Sequence, residues 1–359
     1  MKEAVLCIGA GKAQYPIISK SKELGYKTIA IDRDDNAPGF QIADEKICIS
    51  TFNIEPVLGL IKSFSNKYKI KGILNRSSGP PVVTAATLAE NLKVPCYTKE
   101  CAQLIINKHK LLTGCQKIGI NVPESIVLSN SQEYANYNIT YPAVVKPSLS
   151  LVGKSGVSFV KDQNDLPKAI KNAFQATINK NIIVSEYYEG KDASLISFVD
   201  EGELIPICFV DELNIIDLNG KIEGWGFAIP SLFELTDVYK KILLICKDIV
   251  RELKIERSPF IVSFRIDTNL TPYLIEIHLD LGGDLLIEEL FPKAFKFDFL
   301  EYSIQLLSGE KPKMPNNLAK PTVIIFEKGE KLVSDKKTSI YQASTRKELD
   351  VLIRTRLEQ

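Results

Sequence analysis

The chain has 359 residues, 45 % of them apolar and 25 % charged, which is enough for two or three domains with buried cores. Its 45 Lys and Arg against 44 Asp and Glu leave a net charge of +1, which argues against nucleic acid or an anionic membrane as the main partner. Two histidines exclude a histidine-rich metal cluster, and seven scattered cysteines without a CxxC pair argue against a cysteine-rich zinc site.

The opening MKEAVLCIGAG reads as a strand running into a glycine turn, not as a signal peptide. No stretch approaches the roughly 18 apolar residues needed to span a bilayer. A reducing cytoplasm is the expected compartment. Strand and helix then alternate: Val5–Ile8 a strand, Tyr15–Leu24 a helix, Thr28–Ile31 and Lys46–Ile49 strands, Pro56–Tyr68 a helix, Gly72–Leu74 a strand and Pro81–Asn91 a helix. Such alternation predicts a parallel sheet covered on both faces, here over residues 1–97.

From about residue 98 the texture changes. Helices over Lys99–Ile118 precede short strands at Ala143–Lys146, Val157–Val160 and Ile182–Glu186, with a helix at Leu166–Ala176. Antiparallel-looking runs follow at Ala193–Val199, Leu204–Val210, Ile261–Ile266 and Pro272–His278, interrupted by a helix capped by Thr236 and ending at Leu253. This predicts an α+β region over 98–310, with one lobe at about 105–190 and another at about 191–310. Residues 311–359 hold a strand (Thr322–Phe326) and a charged helix, expected as a small closing lobe.

Gly9-x-Gly11 lies between a strand and a helix, with Asp32 ending the next strand, as a dinucleotide fingerprint begins. Gln14 stands at the third glycine position and Pro16 lies inside the first helical turn, so the motif is too incomplete to carry nicotinamide binding.

Five other segments carry more chemistry. Lys108 opens a helix in INKHKLL, and Lys146 ends the buried strand YPAVVKP. The loop Ser148–Gly156 contains Gly153, Lys154, Ser155 and Gly156, small residues that let backbone N–H groups approach phosphate oxygens beside a lysine charge. Glu186 ends a strand in SEYYEGKD, where the backbone of Tyr187 and Tyr188 can read an adenine edge and Glu189 or Asp192 can hold ribose hydroxyls. Finally, strand alternation puts Ser263, Arg265 and Asp267 on one face, and Glu276, His278 and Asp280 on another. Glu276 lies between Ile275 and Ile277, where a carboxylate would otherwise be a costly core charge, and carboxylates are the hard ligands Mg²⁺ takes beside nucleotide phosphates.

In this order and spacing the segments NKHKLL, YPAVVKP, GKSGV, SEYYEGKD and YLIEIHLDLGG, behind the glycine turn, LGY and AD of the first domain, resemble the ATP-grasp superfamily, in the branch of carbamoyl phosphate synthase, biotin carboxylase and the purine-pathway carboxylate ligases. The resemblance covers nearly the whole chain. It implies a pre-ATP-grasp parallel-sheet domain followed by a two-lobed ATP-grasp domain, and an ADP-forming ligase that joins a carboxylate to an amine through an acyl phosphate. It also implies ATP with Mg²⁺ or Mn²⁺, small-molecule substrates, and a homodimer. Lys108, Lys146 and the loop residues Ser148, Gly153, Ser155 and Gly156 would meet the phosphates, with Lys154 and Arg265 acting in catalysis. Glu276 would hold the metal, with His278 and Asp267 as further ligands.

The chain departs from the family at three places: Ser263 stands where an acid or amide is usual, His278 replaces an asparagine, and Asp280 replaces an arginine. Asp280 and Asp284, with Gly282 and Gly283, are therefore expected against an amine-bearing substrate; the alternative is a degenerate member that binds nucleotide without turnover. Trp225 in GWGFAIPS is either a wall of the substrate pocket or core filler.

Overall fold

The computed structural model describes residues 1–150, 153–283, 285–314, 318–326 and 338–357. The first domain is built from β1 (Lys2–Ile8), α1 (Tyr15–Glu23), β2 (Lys27–Asp32), β3 (Glu45–Cys48), α2 (Ile54–Ser65), β4 (Tyr68–Asn75) and α3 (Pro80–Leu92). Its four strands run parallel in the order β3-β2-β1-β4. The apolar runs of β1 and β2 are buried, as a sheet covered on both faces requires. Helix α2 is shorter than its periodicity predicts, because Tyr68 leaves it to start β4 and bury its ring.

Helices α4 (Lys99–Ile105) and α5 (Lys108–Lys117) begin at Thr98 and Asn107, whose side chains accept from backbone N–H groups of the first turn. A small lobe follows, made of β5 (Ser125–Leu128), β6 (Ala143–Pro147), β7 (Ser158–Val160), α6 (Leu166–Ala176) and β8 (Ile182–Glu186). Its antiparallel sheet has the order β5-β8-β6-β7 and its own core, with Leu128, Val145, Val160, Ile170 and Val184 at the centre.

The remaining strands, β9 (Gly190–Asp200), β10 (Glu203–Ile216), β11 (Ile222–Ile229), β12 (Arg257–Asp267), β13 (Pro272–His278), β14 (Thr322–Phe326) and β15 (Thr338–Gln342), form one seven-stranded antiparallel sheet. Its order is β13-β12-β9-β10-β11-β14-β15, with α7 (Asp237–Glu252), α8 (Phe291–Phe295), α9 (Phe299–Leu307) and α10 (Arg346–Leu357) around it. The last segment of the chain thus extends this sheet at its far edge, and Leu349 and Ile353 of α10 pack on Val323 and Ile325 of β14.

Strand β11 runs from Ile222 into GWGFAIPS, where the sequence carries no clean alternation. Gly226 explains part of that: a Cβ there would stand 2.1 Å from the Ile324 carbonyl oxygen of β14, so the two strands approach closely only over a glycine. Ile8, Ile31 and Val82 of the first domain share one core cluster with Leu195, Val262, Phe264 and Leu274 of the large sheet.

Candidate active site

A cleft of about 610 Å³ opens where the three sheets meet. The first domain contributes Ser77 and Ser78, the small lobe Lys146 and Tyr187, and the large sheet Glu212, Ser263 and Glu276.

The two lysines and the acid singled out in the sequence converge here. The Asn107 side chain accepts from Lys110 N at 3.1 Å, which starts α5 at Lys108, and Lys108 N donates to Ser148 O at 3.0 Å, fixing the helix start to the end of β6. Lys108 Nζ lies 2.7 Å from Glu276 Oε2. Lys146 is only 6 % exposed, and burial followed by the Lys108 charge lowers its pKa to about 8, although Glu276 opposes them. A bulge between β12 and β13 pairs Ser263 with Glu276 but Phe264 with Leu274. That extra residue breaks the alternation, so Tyr273 stacks on Tyr188 while Glu276 lines the cleft. Burial raises the Glu276 carboxyl, but Lys108 and His278 outweigh it and hold it well below the ordinary range.

His278 sits between two carboxylates, with Nε2 at 3.3 Å from Glu276 Oε1 and Nδ1 at 3.9 Å from Asp280 Oδ2. Burial disfavours its charge, yet Glu276 and then Asp280 raise its pKa to about 9. Its Nε2 lies beside the Glu276 carboxylate, which keeps these two expected metal-site residues together. Glu276 fits a hard divalent cation: a carboxylate already facing cationic groups in a cleft that can admit phosphates. Among the described residues no three His, Cys, Asp or Glu side chains converge on a metal-sized point.

One cleft acid escaped the sequence reading. Glu212 of β10 accepts from Ser194 Oγ at 2.5 Å and Ser263 Oγ at 2.9 Å, and its Oε2 faces Lys154 Nζ at 3.5 Å. Burial works against its charge, but Lys154 and the hydroxyls keep its carboxyl below the ordinary range. Its signal was present in FVDELNII, an acid in an apolar strand like Glu276 in LIEIH.

The small lobe closes over this point. Lys154 also donates to Asn214 Oδ1, Phe159 N donates to Gly220 O at 2.6 Å, and Ser158 bridges Lys221, so β7 is latched to the β10–β11 hairpin. Ser148 and Gly153 line the cleft, while Ser155 and Gly156 complete the turn outside its lining; residues 151 and 152 of this loop lie outside the described residues. At the hinge, Glu186 accepts from Tyr188 Oη at 2.8 Å, and Tyr188 stacks on Tyr273 with centroids 4.0 Å apart. Arg265 lies over the Tyr187 ring, donates to Tyr188 O at 2.9 Å and pairs with Asp192 at 3.0 Å.

Residues 107–281 match the family model described as the ATP-binding domain of the carbamoyl-phosphate synthase L chain. The segment that carries Lys108, Lys146 and Glu276 thus matches an ATP-binding domain of this family. It is 27 % identical over 230 residues to the formate-dependent phosphoribosylglycinamide formyltransferase of Francisella tularensis subsp. novicida, covering 62 % of this chain and 55 % of that one. The chain thus spans about half the length of the curated relatives it matches. Among solved structures, the L-amino acid ligase from Bacillus licheniformis superposes with a TM-score of 0.76 at 18 % identity, over 92 % of this chain and 82 % of that one. The biotin carboxylase domain dimer of the Hydrogenobacter thermophilus 2-oxoglutarate carboxylase, solved with MgADP, ADP and bicarbonate, gives 0.69 at 17 % identity, over 90 % and 74 %. At these identities the structural likeness establishes the ATP-grasp fold alone. Among the described residues no helix is long and apolar enough to cross a membrane.

The ATP-grasp geometry leaves several expected site residues elsewhere. Asp267 Oδ1 accepts from the N–H groups of Asn269 at 2.9 Å and Thr271 at 2.8 Å, so the carboxylate caps the β12–β13 turn, outside the cleft lining. Arg265 lines the cleft, but its donors go to the hinge tyrosines and Asp192. Of the two ribose candidates, Asp192 lines the cleft and Glu189 is exposed outside it. Trp225 is 8 % exposed and packs with Val323, Ile325 and Leu349, so it is core filler and not a pocket wall. Asp280 does line the cleft, but its oxygens accept from Ser78 Oγ at 3.0 Å and Gly282 N at 2.9 Å. Gly282 O accepts from Arg76 Nε, Gly283 is exposed, and Asp284 lies outside the described residues.

Proposed function

We propose that this ATP-grasp chain is an ADP-forming ligase that phosphorylates a small carboxylate at the expense of ATP and passes the acyl group to an amine or similar nucleophile. The observation that carries the reading is the convergence of Lys108, Lys146 and Glu276, from three distant segments, on one cleft. The ligase activity named for the Bacillus licheniformis relative and the transferase activity named for the Francisella one support it.

In this reading the hinge at Glu186–Tyr188 takes the adenine, Asp192 the ribose, and Lys108 and Lys146 spread the charge of the phosphates. Positioning and electrostatics contribute nearly all of the rate in phosphoryl transfer. Glu276 would hold Mg²⁺, which when bound neutralises phosphate charge. The latched loop around Lys154 keeps water from the acyl phosphate, whose hydrolysis would waste it. The first-domain wall at Ser77, Ser78 and Arg33, with Asp280, faces the acceptor. Small molecules, not nucleic acid or a membrane, are the partners assigned; a reducing cytoplasm and a homodimer complete the reading.

The decisive measurement is ADP release across a panel of amino acids, small carboxylates and amines. ADP formation dependent on a carboxylate and an amine, lost in Lys146→Ala and Glu276→Ala, is expected; full activity in either variant overturns the site assignment. Asp280 favours a second reading, because a carboxylate there repels the charge that builds on a transferred phosphoryl group. Tight ATP binding with no ADP release across the panel would select that reading, a nucleotide-binding protein without turnover.

A further inference from the structure

Among the described residues the cleft is lined by six carboxylates, and their bonds separate them. Asp32 accepts from Ala10 N at 2.8 Å and Asp34 N at 3.0 Å. Glu186 takes the Tyr188 hydroxyl, Asp192 is shared by Arg265 and Asn214, and Asp280 is held by Ser78 and Gly282. Glu212 and Glu276 differ from these four. Each directs an oxygen at a lysine ammonium from another part of the chain: Glu276 Oε2 at Lys108 and Glu212 Oε2 at Lys154. The two acids flank one residue. Ser263 is the register partner of Glu276 across β12–β13, and its hydroxyl donates to Glu212 Oε1 at 2.9 Å. Ser194, the neighbour of Ser263 on β9, donates to the same oxygen, so two hydroxyls from adjacent strands aim the Glu212 carboxylate and leave Oε2 turned to the cleft.

We infer that Glu212 and Glu276 form a two-carboxylate site for one divalent cation, with Glu212 reaching across β9 to supply the oxygen that Ser263 and Asp267 do not. The two lysine ammoniums mark where positive charge is wanted while the cation is away. An independent feature of the same cleft points to the anion that accompanies it. Lys146 is buried to 6 % exposure and, among the described residues, has neither an ion-pair nor a hydrogen-bond partner. An ammonium on a largely buried side chain that lines the cleft favours a ligand supplying negative charge there. A magnesium-type ion bound through one or two carboxylates, with its remaining positions filled by phosphate oxygens and water, meets both requirements. It also needs no third protein ligand, in keeping with the absence of a three-residue cluster among the described residues.

This inference rests on the nucleotide-binding reading of the cleft, and one titration separates the two. Mn²⁺ is titrated into the protein with ADP present and free Mn²⁺ is read by electron paramagnetic resonance; ADP affinity is measured separately in EDTA. Glu212→Gln and Glu276→Gln are each expected to weaken Mn²⁺ binding at least tenfold while metal-free ADP affinity does not fall. Asp267→Asn is expected to leave both unchanged. Mn²⁺ affinity within twofold of wild type in Glu212→Gln, or in Glu212→Ala should the glutamine variant not fold, overturns the assignment even if Glu276→Gln loses the ion. Wild-type protein that binds neither ADP nor Mn²⁺ would bring down the nucleotide reading together with it.

Discussion

Lys108 Nζ and Glu276 Oε2, 168 positions apart in the chain, meet at 2.7 Å. The ammonium therefore stands where a cation on Glu276 would stand, and the two compete until phosphates draw the lysine away. Replacing Lys108 by Met should raise Mn²⁺ affinity of the nucleotide-free protein several-fold and weaken ADP binding about tenfold, the worth of roughly one charge-assisted contact. Isothermal titration with each ligand alone checks both directions.

Lys146 predicts an opposite movement of stability and binding. Its folded pKa of about 8 lies below the reference 10.5, so the cost of burying its charge is fully present below about pH 8 and is relieved as pH climbs toward 10.5. Lys146→Met should stabilise the protein at neutral pH by on the order of 2 kcal/mol, raising Tm by several degrees, while abolishing measurable nucleotide binding. In the wild-type protein ADP affinity should fall as pH passes 8. Calorimetric melting and fluorescence titration between pH 6 and about 10 test the pair.

The parallel domain was legible because β1 and β2 are uninterrupted apolar runs, and the lysines because each sits at a helix start or strand end. What escaped is physical in origin. The role of Glu212 depends on β9 lying between β10 and β12, an order that no local pattern encodes. Strand β11 was obscured by Gly224 and Gly226, and the engagement of Arg265 by tyrosines some 77 residues away could only come from the tertiary arrangement. Asp267 had the right parity to face Glu276, yet its Oδ1 caps the turn it precedes.

Gly220 is the pivot of the latch between the small lobe and the β10–β11 hairpin. It has φ +78°, and a Cβ there would stand 2.4 Å from Phe159 O. Gly220→Val should break the Phe159–Gly220 contact, leaving the global Tm within about 2 °C because the hairpin tip is exposed. Limited proteolysis should then cut the 148–160 region several-fold faster than in the wild-type protein.

Trp225 separates core from pocket. Trp225→Ala should destabilise the protein by about 3–5 kcal/mol, the usual cost of emptying a buried aromatic site. Trp225→Phe should cost less and leave substrate KM unchanged within twofold. A KM shift without loss of Tm would return the residue to the substrate wall.

Of the three bodies around the cleft, two are fused. Ile8 and Val82 from the parallel sheet and Phe264 from the large sheet belong to one apolar cluster, and Leu111 and Leu112 of the Lys108 helix join it. Arg76 adds a polar clasp to Gly282 O and to Glu288. Among the described residues the small lobe keeps a core apart from those of the other two bodies, so a swing of it tears no shared apolar cluster. Lys108 and Glu276 ride on the anvil and Lys146 on the jaw. A movement of the small lobe would therefore carry the Lys146 charge toward or away from an acid–lysine pair fixed on the other two bodies.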